Sequence, residues 1–223
     1  MSNDQKTKKT HKLLLTSRGT YITDGRYEIF DKPRNRVKWG HITTAGKSVP
    51  DDSYLQNHRQ RMQELGWDFE EIDIAGKNED ELRKILHDKE AVFVEGGNAF
   101  YLLKCIRASG FEKVMHELLD RGVVYVGSSA GSYVACPTIE MATWKDPTKY
   151  DRYGVTDFTA MNLVPFLIFA HYTPDMESVV KPKTVAVKYP VKPLTDQQAL
   201  FIYGDKVELL EDKSIKSKWQ LPV

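Results

Sequence analysis

Cysteine is scarce in this chain of 223 residues. Its two cysteines, Cys105 and Cys136, are too few for a disulfide framework. Because no Cys-x-x-Cys pair or Cys/His cluster occurs, the sequence gives no indication of a zinc site, and we expect no bound metal. Chains with so few cysteines are typical of a reducing compartment, so we expect a cytoplasmic location.

Long hydrophobic runs and an excess of one charge are also absent. Residues 163–170 form one of the longest apolar runs, far short of the roughly 20 residues of a membrane helix. The Lys-rich start lacks the apolar segment of a secretory signal, and we expect a disordered tail at residues 1–11. Lys and Arg number 32 against 31 Asp and Glu. We therefore expect neither nucleic acid nor a membrane as the main partner.

The composition is that of an ordinary globular protein, with 41% hydrophobic and 28% charged residues. No internal repeat or low-complexity linker divides the chain. Together with the length, this predicts a single domain over residues 12–223. The sequence does not decide between a monomer and a homodimer.

Apolar runs alternate with helical spacing through the first two thirds of the chain. The predicted strands are residues 12–16, 37–44, 69–74, 91–94 and 123–126. The predicted helices are residues 51–65, 79–88, 99–109 and 111–121. Continuous Val/Ile/Leu strands between helices are typical of a parallel sheet covered on both faces, which is a three-layer α/β sandwich. Residues 199–203 and 206–210 flank Gly204-Asp205 and predict a C-terminal β-hairpin, whereas residues 143–157 predict a long polar loop.

The sequence Gly-Ser-Ser-Ala-Gly at residues 127–131 lies between a predicted buried strand and a helix. A nucleophile on a strained strand-to-helix turn needs small neighbours, and Gly127, Ala130 and Gly131 meet that need. The motif fits a nucleophile elbow with Ser129 at its centre, and it also fits a plain Gly/Ser turn. We expect Ser132, in the first helical turn, to satisfy backbone groups there.

A second glycine motif, Val-Glu-Gly-Gly-Asn at residues 94–98, follows another predicted strand. In a parallel sheet both loops emerge at the carboxyl edge, where ligands bind. Gly96 and Gly97 allow backbone N–H groups to approach a ligand closely, and they fit half of an oxyanion hole. We expect Gly96 and Asn98 to contact substrate, and Asn98 fits a helix N-cap equally well.

A serine hydrolase also needs a base, and His171 is the best-placed of the six histidines. It follows the apolar run 163–170, where a strand would deliver it to the same edge of the sheet. His58, His87 and His116 have charged neighbours in predicted helices, so we expect them at the surface. The remaining two lie in the tail and inside a strand (His11 and His41).

Several separated motifs together resemble dipeptidase E and its relatives, a family of serine hydrolases that includes cyanophycinase. The resemblance extends from Leu13 to about Val207, and its motifs lie at residues 42–46, 94–104, 127–131, 134–139, 162–173 and 194–200. It implies a flavodoxin-like α/β sandwich similar to class I glutamine amidotransferases. It also implies Ser129 as nucleophile, His171 as general base, an oxyanion hole from the N–H groups of Gly97 and Ala130, and no cofactor.

The acidic member of the triad departs from the family pattern. In dipeptidase E an Asp lies about fifteen residues after the serine; here Trp144 holds that position and Asp146 lies two residues on. In cyanophycinase-like relatives the acid is a Glu after the histidine, and Asp196 matches that position. We favour Asp196, with Asp146 as the alternative. Asp196 also fits an ordinary turn residue. Glu95 stands where relatives often have a third Gly, and we expect it to face the cleft or solvent.

The resemblance implies hydrolysis of small peptides, including dipeptides with an N-terminal Asp. In such enzymes an Arg-containing stretch follows the histidine motif, whereas here the stretch offers only Lys181, Lys183 and Lys188. Lys lacks the bidentate geometry of Arg, so the preference for Asp stays open. An alternative is a non-catalytic, ligand-binding member with an incomplete triad. A Cys-dependent amidotransferase is disfavoured because the elbow residue is Ser, and we expect Cys136 to be buried.

Overall fold

The computed structural model describes residues 10–24, 29–148 and 151–213. The expected tail at residues 1–11 therefore lies almost wholly outside the described residues. Within those ranges the strands are β1 (Lys12–Thr16), β2 (Lys38–Ile42), β3 (Asp68–Ile72), β4 (Ala91–Val94), β5 (Val124–Ser128), β6 (Leu167–Phe169), β7 (Val191–Pro193), β8 (Gln198–Tyr203) and β9 (Lys206–Glu211).

The helices in the described part of the chain include the four predicted at residues 51–65, 79–88, 99–109 and 111–121, and two that were not predicted, at residues 20–23 and 177–186. They are α1 (Thr20–Thr23), α2 (Ser53–Glu64), α3 (Glu79–Leu86), α4 (Ala99–Ser109), α5 (Phe111–Asp120), α6 (Ala130–Ala135) and α7 (Glu177–Ala186). Asn78 caps α3 in a reciprocal capping box with Glu81, and Gly110 separates α4 from α5 in a left-handed conformation. None of these helices is both long enough and apolar enough to cross a bilayer.

The central sheet has seven strands in the order β3-β2-β4-β5-β1-β8-β9. The first five are parallel to one another, while β8 lies antiparallel to β1 and forms a hairpin with β9. This confirms the predicted mixed α/β fold with a mostly parallel sheet and a C-terminal hairpin. Because the five parallel strands share one direction, the segments that follow β1, β4 and β5 meet at one edge of the sheet.

Helices cover both faces of the sheet, and the alternation of side chains along β1 shows how. Leu13 and Leu15 pack with residues of α3 to α6 on one face, while Leu14 packs with residues of α1 and α2 on the other. All three leucines are buried, and each such side chain stabilises the fold by roughly 2 kcal/mol. The two apolar layers fix the position of each strand end, and thereby the loops that extend from it.

The apolar run 163–170 forms a strand only at β6, and this strand lies outside the central sheet. It pairs in parallel with β7 in a separate two-stranded sheet. His171 follows β6 by two residues and lies beside the Ser129 turn, so a strand does deliver it to this edge, as expected. That strand belongs to the small second sheet and not to the central one.

Candidate active site

Ser129 sits on the sharp turn between β5 and α6. Its backbone has φ 49° and ψ −107°, a sparsely populated conformation for a residue with a side chain. The turn is held because the Ser129 N–H donates to the Thr16 carbonyl at 3.0 Å. A Cβ on Gly131 would collide with the Val94 carbonyl, and one on Gly127 would lie 2.8 Å from the Gly131 backbone. The glycines of the motif are thus required by close packing against the strands.

Buried hydroxyl groups hold this turn through hydrogen bonds to backbone carbonyl groups. The Ser132 Oγ lies 2.7 Å from the Thr16 carbonyl oxygen and 2.9 Å from that of Gly127, as predicted for a residue that satisfies backbone groups. The Tyr125 hydroxyl donates to the Gly131 carbonyl at 2.7 Å. These contacts hold the strained residue in place from both sides of the turn.

His171 lies between Ser129 and Asp196. Its Nε2 is 3.1 Å from the Ser129 Oγ, and its Nδ1 is 2.6 Å from the Asp196 Oδ1. Asp196 is buried immediately before β8, whose antiparallel pairing with β1 brings it to this edge. Burial alone would raise the pKa of Asp196, but the hydrogen bond and charge of His171 outweigh it and lower that pKa. The carboxylate therefore stays ionised beside the ring.

Ser17 completes this arrangement, although it was not among the residues predicted from the sequence. Its Oγ donates to the Asp196 Oδ1 at 2.9 Å and accepts from the His171 N–H at 2.7 Å. The side chain is fully buried just after β1. His171 has a positive φ of 57°, so this hydroxyl holds a strained backbone as well as the carboxylate. A serine after an apolar strand is common, and nothing local in the sequence singles it out.

The other acid candidate, Asp146, has different partners. It is exposed, and its Oδ1 accepts from the backbone N–H and the hydroxyl of Thr148 at 2.8 and 2.7 Å. Trp144, at the position where relatives have an Asp, is buried and stacks on Phe169 with ring centroids 5.7 Å apart. At the position where relatives have an Asp, this chain therefore makes an apolar contact with β6. The carboxylate that contacts the His171 ring is that of Asp196.

The glycine loop after β4 touches the Ser129 turn. A Cβ on Gly96 would lie 3.2 Å from the Ser129 Cβ, and one on Gly97, with φ 136°, would collide with the Ala45 carbonyl. Within the described part of the chain, the N–H groups of Gly97 and Ala130 donate to no protein acceptor. Free backbone N–H groups on the loop that touches the Ser129 turn and on the residue after Ser129 are the donors that an oxyanion hole requires.

Asn98 caps α4. Its side-chain oxygen accepts from the N–H groups of Phe100 and Tyr101, and its Nδ2 donates to the Asp151 carbonyl at 2.9 Å. The side chain is almost fully buried, so these contacts account for both of its polar atoms. Contact with substrate stays a prediction for Asn98, as it does for Gly96.

The structure overturns two expectations at Glu95 and His58. Glu95 is fully buried, not in the cleft or solvent, and its Oε1 lies 2.9 Å from His41 Nε2 and 2.8 Å from His58 Nδ1. Burial alone would raise the pKa of Glu95, but the charge of His58 and hydrogen bonds from both rings lower it to about 2. His58 is likewise buried and not at the surface. Its spacing from Leu55 and Met62 places it on the inner face of α2, a signal that its charged neighbours obscured.

Neither cysteine offers an alternative nucleophile. Cys105 and Cys136 are both unpaired and buried, and burial raises the pKa of Cys136 to about 12. A thiol with this pKa is protonated at neutral pH, which leaves it unreactive. Over the residues that the structure describes, no three His, Cys, Asp or Glu side chains form a group that could hold a metal ion.

The site contains a hydroxyl, an imidazole and a carboxylate that hydrogen bonds join in series, and the hydroxyl lies on a strained strand-to-helix turn. Serine-type hydrolases of unrelated folds share this arrangement. The comparison with known proteins narrows this class. The sequence model described as Peptidase family S51 matches residues 13–210. The chain belongs to this family of serine peptidases.

Individual relatives agree with the family. An uncharacterised peptidase of Listeria monocytogenes, Lmo0363, is 33% identical over 169 residues, which cover 74% of this chain and 82% of the relative. Peptidase E of Shewanella amazonensis is 32% identical over 186 residues, covering 78% and 75% respectively. A crystal structure of a proposed peptidase E protein from L. monocytogenes superposes with a TM-score of 0.78 at 29% identity, covering 91% of this chain and 98% of that one.

Proposed function

We propose that this peptidase hydrolyses small peptides through an acyl-enzyme on Ser129, with His171 as general base and Asp196 as the acid that orients it. The observation that carries the proposal is the continuous hydrogen-bonded path from the Ser129 Oγ to His171 Nε2, at 3.1 Å, and from His171 Nδ1 to Asp196, at 2.6 Å. In this path Asp196 keeps the proton on Nδ1, so that Nε2 can accept the proton of the serine hydroxyl.

The proposed reaction is acyl transfer in two halves. His171 takes the proton of the Ser129 hydroxyl while the Ser129 oxygen bonds to the peptide carbonyl carbon. The N–H groups of Gly97 and Ala130 stabilise the resulting oxyanion. The C–N bond then breaks, and His171 returns the proton to the leaving amine. Water, deprotonated by the same ring, attacks the acyl-enzyme, releases the acid product and restores the Ser129 hydroxyl.

The names of the relatives suggest the substrate class. Several are called Peptidase E, and we propose small peptides as substrates, with N-terminal Asp dipeptides as the first group to screen. Lys181, Lys183 and Lys188 are exposed, and within the described residues no hydrogen bond or ion pair joins them to the site. The screen should therefore include dipeptides with neutral first residues. The two unpaired cysteines support a cytoplasmic location.

Labelling with a fluorophosphonate tests the proposal, because this reagent bonds to activated serines. The wild type should be labelled, and Ser129→Ala should lose all labelling while keeping its circular dichroism. Ser178→Ala, which removes an exposed hydroxyl from α7, is the matched control and should label as the wild type does. A folded wild type without labelling would contradict the proposal and favour the non-catalytic alternative.

A further inference from the structure

The loop after β4 is held from behind by α2. Tyr54 and His58 lie one turn apart on this helix, with ring centroids 6.1 Å apart. The His58 ring contacts Glu95, at 2.8 Å, and the Tyr54 hydroxyl donates to the Gly96 carbonyl, at 2.9 Å. Two successive residues of the loop are therefore fixed by two side chains of a single helix.

The second of these contacts bears on the peptide unit that joins Gly96 to Gly97. No cis peptide bond occurs among the described residues, so this unit is trans. In a planar trans peptide, the carbonyl of one residue and the N–H of the next point in opposite directions. The hydroxyl that holds the Gly96 carbonyl consequently also fixes the direction of the Gly97 N–H, which has no protein acceptor in the described part of the chain.

Among the described residues, no other hydrogen bond is made by the Gly96 carbonyl or the Gly97 N–H. Both flanking residues are glycines, which lack the side chains that restrict backbone dihedral angles. The Gly96 N–H has only a long contact of 3.4 Å with Glu95 Oε2. The Asn98 N–H donates to Ala45 and fixes the following peptide instead, at 3.1 Å. The Tyr54 hydroxyl therefore supplies the hydrogen bond that fixes the orientation of this diglycine peptide.

We propose that Tyr54 is a positioning residue of this peptidase: its hydroxyl holds the Gly96–Gly97 peptide so that the Gly97 N–H is directed at the oxyanion formed on Ser129. This inference rests on the proposed function, since it assigns a role in the same reaction. The hydroxyl contacts the loop backbone, at the Gly96 carbonyl. Its effect should therefore be on the rate of bond formation and not on the initial binding of a ligand.

Tyr54→Phe removes only this hydroxyl, and the fluorophosphonate serves as the probe. Its phosphoryl oxygen occupies the oxyanion position when Ser129 attacks, so labelling kinetics separate the reversible binding constant from the bonding rate. We expect the bonding rate to fall by about tenfold, less than the hundredfold typical of deleting a donor outright, with the binding constant unchanged. Tyr203→Phe, at the other end of the sheet on β8, should behave as the wild type in both constants.

The outcomes separate the two proposals. A wild type that is not labelled overturns the proposed function and this inference with it. A labelled wild type together with an unchanged bonding rate in Tyr54→Phe overturns the inference alone. An equal loss in binding constant and bonding rate, or a lowered melting temperature that accounts for the loss, indicates a structural role for Tyr54 and also overturns it.

Discussion

At the scale of single residues, Ser17 links two parts of the candidate site. One buried hydroxyl joins Asp196 to the backbone of His171, at 2.9 and 2.7 Å. Ser17→Ala should lower the rate at which a fluorophosphonate bonds to Ser129 by about ten- to a hundredfold, because the ring loses part of its alignment. The free energy of unfolding should fall by only about 1 kcal/mol.

Ser109→Ala is the control for Ser17. Its hydroxyl is also buried and contacts backbone groups, but it lies at the end of α4. It should lose a similar amount of stability with no change in labelling rate. If Ser17→Ala labels as fast as Ser109→Ala, the alignment argument is wrong.

The identity of the acid is a second prediction at this scale. Asp196→Asn keeps the size of the side chain but no longer fixes the proton on His171 Nδ1, and activity should fall by about 10⁴-fold, as it does when a triad Asp is replaced by Asn. Asp146→Asn should leave activity near that of the wild type, since the Asp146 carboxylate bonds to Thr148. The rate of p-nitrophenyl acetate hydrolysis measures the activity of both variants. A larger loss in Asp146→Asn than in Asp196→Asn would show that Asp146 is the acid of the triad.

At the scale of helices and strands, the buried cluster of Glu95, His41 and His58 ties α2 to β2 and to the end of β4. Burial opposes the charged form of His58, but the charge and hydrogen bond of Glu95 outweigh this and raise the pKa of His58 above the ordinary value of a histidine. A histidine whose pKa folding raises contributes stability that is full below its unfolded pKa and is lost as the pH rises through the folded value. Asp24 adds to this shift and Arg18 opposes it.

Glu95→Gln tests this linkage. At pH 6 the variant should lose about 3 kcal/mol of unfolding free energy, because the buried His58 cation loses its anion. The loss should shrink as the pH rises and His58 becomes neutral, so urea melts from pH 6 to 9 should show converging stabilities. Glu117→Gln, in an exposed pair with Arg83, should not alter the pH dependence. Parallel curves for wild type and Glu95→Gln would refute the linkage.

The same elements show which features could be predicted from sequence. The strands β1, β4 and β5 can be predicted because they are runs of mostly apolar residues, whereas β3, with the sequence Asp-Phe-Glu-Glu-Ile, mixes apolar and acidic residues. The elbow can be predicted because its glycines follow such an apolar run. His58 was misassigned because the neighbours on its exposed side are charged, although its spacing from Leu55 and Met62 marks the inner face. Ser17 has no local signal at all, since its partners lie 154 and 179 residues away in the chain. Contacts of that range depend on the sheet order.

At the scale of the whole molecule, the candidate site draws on both sheets, because β6 belongs to the small sheet and the other strands beside the site belong to the central sheet. Its groups follow β1, β4, β5 and β6 or precede β8. Both apolar layers pack on the same strands, so neither layer has a sheet of its own. We therefore propose that residues 12–223 form a single domain and predict that both layers unfold in one cooperative transition.

Tryptophans make this last prediction measurable, since Trp39 and Trp67 belong to the layer of α1 and α2 and Trp144 to the opposite layer. Both variants carry Trp219→Phe. Adding Trp144→Phe leaves fluorescence only from the layer of α1 and α2. Adding Trp39→Phe and Trp67→Phe instead leaves fluorescence only from the opposite layer. For each variant, the urea midpoint by fluorescence should coincide with that by circular dichroism and by loss of fluorophosphonate labelling, because each strand serves both layers. A fluorescence transition of either layer that precedes the other probes would indicate two units. It would also mean that the site can be lost while part of the core persists.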